Sequence, residues 1–127
     1  MNDLLPVNLE ARSTLLIEFV FTIRKRHLAT TLGGDEDVIA TAVLIHWAEL
    51  AATQLLKERY EGSYRTSVGT VVEIKHIASA LLHEKITVRV QLMRLVLGIA
   101  RFSIDITAQD SGRLLMQGSH ERKVNTE

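Results

Sequence analysis

The sequence predicts an α+β domain in which a five-stranded antiparallel sheet wraps around one long helix. Three observations carry that prediction. Only Val38 to Lys57 shows a sustained helical period. From Ser67 onward the apolar residues recur at every second position, the period of a half-buried strand. The glycines of Val96-Leu97-Gly98 and Asp110-Ser111-Gly112 fall third in the breaks between such runs, where short hairpin loops need a left-handed residue. The chain has 127 residues, which suits one domain spanning 1–127.

In chain order, residues 1–12 read as an irregular lead-in containing Pro6, the only proline. Thr14 to Ile23 alternates, with Leu15, Ile17, Phe19, Phe21 and Ile23 on one parity, and is predicted as a strand with one buried face. Arg24-Lys25-Arg26-His27 follows, and two readings stay open for it: a phosphate contact for a nucleotide-bearing ligand, or a solvated strand end. Gly33-Gly34 reads as a loop. Asp35, Glu36 and Asp37 then precede the helix, where negative charge complements its dipole.

The helix, predicted over Val38–Lys57, is rich in Ala and Leu and holds no Gly or Pro. At about 1.5 Å per residue it spans roughly 30 Å, the width of a small domain. At about 100° per residue, Leu44, Ile45, Ala48, Ala51, Ala52, Leu55 and Leu56 form one apolar face. His46, Leu50, Thr53 and Lys57 lie opposite. Thr41 falls inside the apolar face and Glu49 at its margin.

Four strands follow. In Ser67–Ile77, Val68, Thr70, Val72, Ile74 and His76 share a parity, so His76 is expected on the face that packs on the helix. Lys85–Leu95 turns Ile86, Val88, Val90 and Leu92 inward. Ala100–Gln109 does the same with Phe102, Ile104, Ile106 and Ala108. Arg113–Val124 places Leu114, Met116, Gly118, His120, Arg122 and Val124 on one parity. With three-residue loops at 96–98 and 110–112, the register sets Arg89 opposite Asp105, Gln91 opposite Ser103 and Phe102 opposite His120. Arg89 and Asp105 then make an opposite-charge pair on the outer face. The outer parity also carries Leu16, Val20, Val71, Met93 and Leu115, which points to a homodimer, with a dimer of dimers as the larger assembly.

Composition removes several function classes. Net charge is zero, so the chain lacks the basic footprint of a nucleic-acid binder. It has no cysteine, which excludes disulfides and thiolate metal sites. No apolar run reaches the length of a membrane span. The first residues lack a basic region followed by an apolar core, so a cytoplasmic protein is expected.

Three blocks go further. ATAVLIHWAELAA, SVGTVVEIKHIASA and GSHERKV occur in that order. They contain Thr41 followed by Glu49 eight residues on, Gly69-Thr70 followed by His76, and Gly118-Ser119-His120-Glu121-Arg122. Over roughly residues 38–125 the chain resembles the fluoroacetyl-CoA thioesterase family of hot-dog-fold proteins. The resemblance implies an acyl-CoA thioesterase with a Thr41, His76 and Glu49 triad that needs no metal or organic cofactor, CoA being part of the substrate. His76 would be the general base, kept basic by Glu49, and would activate the Thr41 hydroxyl or a water. A hydroxyl needs such a base at neutral pH, and a carboxylate stabilises the imidazolium that forms. Gly69, Thr70, Arg122 and His120 are the implied substrate-binding residues, with Gly69 leaving room and amides for the acyl group. The family's phenylalanine lid ahead of the helix has no aromatic counterpart in Gly33–Ile39. Two other readings make different demands on the sequence. A hot-dog enoyl-CoA hydratase would carry D-x-N-P-x-H, which is absent here. A non-catalytic acyl-CoA-binding module, sensor or scaffold, would have no need of Thr41, Glu49 and His76 together.

Overall fold

A computed structural model describes residues 5–6 and 15–126. The elements run β1 (Leu5–Pro6), β2 (Leu16–Thr22), α1 (Thr41–Arg59), β3 (Tyr64–His76), β4 (Lys85–Val96), β5 (Ile99–Ala108) and β6 (Leu114–Thr126). All pair antiparallel in one sheet of order β1-β2-β4-β5-β6-β3. Five long strands curl around α1 in the hot-dog arrangement. The lead-in, expected to be irregular, adds the two-residue strand β1 beside β2. Its remaining residues and Thr14 lie outside the described residues.

The core lies between α1 and the inner parity of the sheet. Ile17, Phe19, Phe21 and Ile23 are buried, and so are Ile86, Val88 and Val90, as the alternation requires. Leu15 is the exception, half exposed just before β2 begins. On the helix, Leu44, Ala48, Ala51, Ala52, Leu55 and Leu56 are buried, while Ile45 is half-buried. Sequence reasoning omitted Trp47, which stands one turn from Leu44 and Ala51. Its ring stacks on Phe21 at 4.4 Å between centroids. Burying a side chain such as Phe21 contributes about 1.5–3 kcal/mol.

The helix starts later than its composition suggests. Ala40 is the N-cap, with extended backbone, and Thr41 is the first helical residue. Leu28 and Ile39 form a β-bridge, and the Ile39 N–H donates to the Ala80 carbonyl, so tertiary bonds hold this segment extended. Asp35, Glu36 and Asp37 therefore stand outside the first turn, which holds no acidic residue. Asp37 instead accepts a 2.6 Å hydrogen bond from Thr30. At the other end, Lys57 and Arg59 lie in the last turn, where cations suit the dipole.

The register in the body of the meander is as predicted: Arg89 opposite Asp105, Gln91 opposite Ser103, and Phe102 opposite both Leu92 and His120. The turns differ. The first is the two-residue loop Leu97-Gly98, with φ of 51° and 77°, and the displaced residue becomes an irregularity between Leu92 and Arg94. Two positive φ values match the twist of flanking strands better than a longer loop does. The second loop spans 109–112, closed by the Ala108 N–H on the Arg113 carbonyl, and Gly112 takes φ 71°. Here the shift lies between Ile106 and Thr107, opposite Leu115, and Leu115 is fully buried rather than outward. Arg89 pairs with Glu18 at 3.0 Å, and Asp105 accepts from Gln117.

β3 forms one edge of the sheet. Its ladder with β6 shifts between Gly69 and Val71. Ser67 lies opposite Val124 and Gly69 opposite Arg122, whereas beyond the shift Val72 lies opposite His120 and His76 opposite Met116. A single inner parity through Val68, Thr70 and His76 is thus overturned: a bulge adds one residue and moves the preceding ones to the other face. Val68 is 55% exposed.

Candidate active site

The first cluster sits at the N-terminal end of α1. Thr41 projects from the first helical residue, and His76 is the last residue of β3. Thr41 Oγ1 lies 2.8 Å from His76 Nδ1. Thr41 is exposed and His76 half-buried. The other ring nitrogen, Nε2, is buried and has no hydrogen-bond partner. A hydroxyl within hydrogen-bond distance of an imidazole nitrogen is an arrangement from which a base can activate a nucleophile.

The second cluster lies two turns along the same helix. Glu49 Oε2 stands 3.6 Å from Arg122 NH1. The Arg122 guanidinium is buried, and each of its nitrogens is engaged. Nε donates to Ser67 Oγ at 2.9 Å, NH2 to the Ser67 carbonyl at 3.1 Å, and NH1 to His120 Nε2 at 3.2 Å. His120 is buried, and Nδ1–H donates to the Val71 carbonyl at 2.8 Å. A carbonyl can only accept and a guanidinium can only donate, so these two contacts require the neutral Nδ1–H tautomer. Burial is the largest influence on its pKa and lowers it; the Arg122 charge also lowers it, while the Val71 bond and Glu49 oppose the shift. Phe102 stacks beside the imidazole at 6.1 Å.

Gly69 lets this cluster close up against β3. A Cβ there would stand 3.0 Å from Glu49 Oε2 and 3.1 Å from His120 Cε1. That is tight enough to push the helix carboxylate away from the strand.

The structure thus joins Thr41 to His76, and Glu49 to Arg122, His120 and Gly69. It does not join the two sets within one chain. Eight residues of helix separate Thr41 from Glu49 by about 12 Å. Thr70 is not brought to either: it is exposed, and its hydroxyl donates to the Glu121 carbonyl at 3.3 Å. Sequence reasoning missed Ser67 and the Val71 carbonyl. Only the β3–β6 register, bulge included, could have found them. Of the basic run 24–27, His27 turns inward against Trp47 while Arg24, Lys25 and Arg26 stay exposed. No group of His, Asp and Glu among the described residues could hold a metal ion. No helix among them is long and apolar enough to cross a membrane.

Known proteins carry the same fold. The family model described as fluoroacetyl-CoA-specific thioesterase matches residues 23–127. A solved structure of a phenylalanine-to-alanine variant of that thioesterase, in complex with fluoroacetate and CoA, superposes with a TM-score of 0.77. It is 18% identical, over 90% of this chain and 94% of that one. Thioesterase superfamily member 2 from Mus musculus superposes at 0.76 with 15% identity, covering 96% and 81%. A hot-dog-like protein from Thermanaerovibrio acidaminovorans does so at 0.76 with 20% identity, covering 87% and 81%. No curated protein matches by sequence. The chain belongs to the fluoroacetyl-CoA-specific thioesterase family.

Proposed function

We propose that this family member hydrolyses an acyl-CoA thioester to a carboxylate and free CoA, with Thr41, His76 and Glu49 as its reacting groups. The observation that carries the reading is the 2.8 Å contact between Thr41 Oγ1 and His76 Nδ1. His76 Nδ1 takes the proton of the Thr41 hydroxyl, or of a water held there, as the oxygen adds to the thioester carbonyl. In the homodimer argued next, backbone amides near Gly69 of the second copy polarise the carbonyl oxygen. The C–S bond breaks, and the proton on His76 passes to the departing CoA sulfur. An acyl group on Thr41, if formed, is released by water through the same imidazole.

Glu49 is the carboxylate that stabilises the imidazolium, and we propose that it acts across a homodimer. β3 is a 13-residue edge strand with Val68 and Val72 exposed, and an unpaired edge of that length invites a second copy. A two-fold axis between Val72 and Glu73 would pair Gly69 of one copy with His76 of the other. Because Glu49 lies against Gly69, that pairing would bring Glu49 to the Thr41–His76 pair of the second copy. Met93, 59% exposed on the outer face, suits the further association of two such dimers.

The test is thiol release from a panel of short, branched, aromatic and long acyl-CoAs, run on the wild type and on His76→Ala. The panel is wide because Gly33–Ile39 offers no aromatic lid to select fluoroacetyl. Hydrolysis of a panel member that falls by at least about 10²-fold in the variant supports the assignment. Absence of turnover across the panel, with CoA esters still raising the melting temperature, would replace it by a non-catalytic acyl-CoA-binding module.

A further inference from the structure

We propose that His120 is a positioning residue: as the neutral Nδ1–H tautomer it holds the Arg122 guanidinium against Glu49 without touching substrate itself. For its effect on catalysis this rests on the thioesterase reading above; the geometry stands without it. His120 is 1% exposed, so its ring offers no face to a ligand. Both ring nitrogens are used, Nδ1 on the Val71 carbonyl and Nε2 as acceptor for Arg122 NH1. NH1 is also the nitrogen that faces Glu49. The other two guanidinium nitrogens are fixed by Ser67 alone. His120 therefore decides where the end of the guanidinium nearest Glu49 points.

The β3 bulge is the device behind it. The shift between Gly69 and Val71 places the Val71 carbonyl on His120 while Gly69 leaves room for the Glu49 carboxylate. A protonated imidazole would set an N–H against the donors of NH1, so the charged form is incompatible with the clamp. Burial, which holds the ring neutral, works in the same direction.

Two measurements test this. A long-range ¹⁵N–¹H spectrum of the wild-type imidazoles at neutral pH needs no substrate, and the His120 signals are assigned by their loss in His120→Gln. The expected pattern is a protonated Nδ1 and an unprotonated Nε2; a protonated Nε2 overturns the proposal whether or not the chain turns over acyl-CoA. The second measurement compares His120→Gln with His120→Asn. The amide oxygen of Gln can reach the Nε2 position and still accept from Arg122. Asn reaches only the Nδ1 position, keeping the Val71 bond and losing the clamp. We expect Gln to retain kcat within about 3-fold and Asn to lose roughly 10- to 100-fold, the cost of misplacing a catalytic group, with KM little changed. Equal kcat in the two variants, or losses that simply follow their melting temperatures, would assign His120 a packing role only.

Discussion

The two clusters on α1 are built in opposite ways. Thr41 and His76 are joined by one hydrogen bond, Thr41 is exposed, and a ring nitrogen is left unsatisfied. Arg122 and His120, two turns along, are buried, with each guanidinium nitrogen and both ring nitrogens hydrogen-bonded. A group proposed to move a proton needs an accessible partner for that proton and a ring free to take a second bond when charged. A group that must hold a charge in place needs neither, and each added bond sharpens its position. The difference teaches that an open contact and a fully bonded clamp can share a helix while drawing on different parts of the sheet, the end of β3 for one and the β3–β6 ladder for the other.

Substitutions at the two clusters should separate activity from stability. Thr41→Ala is expected to lower kcat by about 10²-fold. It should shift unfolding free energy by no more than about 0.5 kcal/mol, since the site is exposed. Arg122→Met should do the converse first, costing about 2–3 kcal/mol in urea unfolding because Ser67 and His120 lose a charged donor. If Thr41→Ala destabilises as much as Arg122→Met, the contrast drawn between the clusters is wrong.

Acid should weaken the buried cluster through His120. The folded pKa of His120 lies below its ordinary value of about 6.5. The unfolded chain therefore binds the proton more readily. The stability linked to this group is full above about pH 6.5 and is lost as pH falls through the lower folded value. The melting temperature of the wild type should drop between pH 7 and 5 more steeply than that of His120→Gln. Parallel curves would remove His120 as the cause.

The smallest effect lies far from both clusters and has the opposite sign. Leu97 sits at φ 51°, is 96% exposed, and precedes Gly98 in the two-residue turn. A left-handed conformation penalises leucine and suits asparagine. Leu97→Asn should therefore stabilise by roughly 0.5–1 kcal/mol, read as a rise in the denaturant midpoint, with thiol release unchanged. A fall in activity there would show that the hairpin tip communicates with the site.

Much of this was legible in the sequence, and the reason differs by element. The meander could be read because alternation and the break glycines both constrain one register, and Arg89, Asp105, Phe102 and His120 took their predicted partners. The turns themselves were misjudged by one residue each. A bulge can absorb a residue within a strand and leave the register beyond it unchanged. The approach of His76 to Thr41 was implied by a family resemblance and by the parity of β3 near its end. The same parity failed at Val68 and Thr70, because the bulge between Gly69 and Val71 has no signature in alternation.

By itself, then, the sequence determined what local period and side-chain type can encode, a helix with one apolar face and strands with one buried parity, while three motif blocks carried the family resemblance. The tertiary structure decided where α1 begins, because the Ile39 N–H on the Ala80 carbonyl, the Ala40 N–H on the His27 carbonyl and the Val38 carbonyl accepting from Ala29 compete with helix for the same backbone groups. It also decided which charge meets which. Glu49 faces Arg122 rather than His76, since that contact depends on a bulge, a missing Cβ at Gly69 and a serine on a neighbouring strand. Those are distances between segments far apart in the chain, and no local pattern records them.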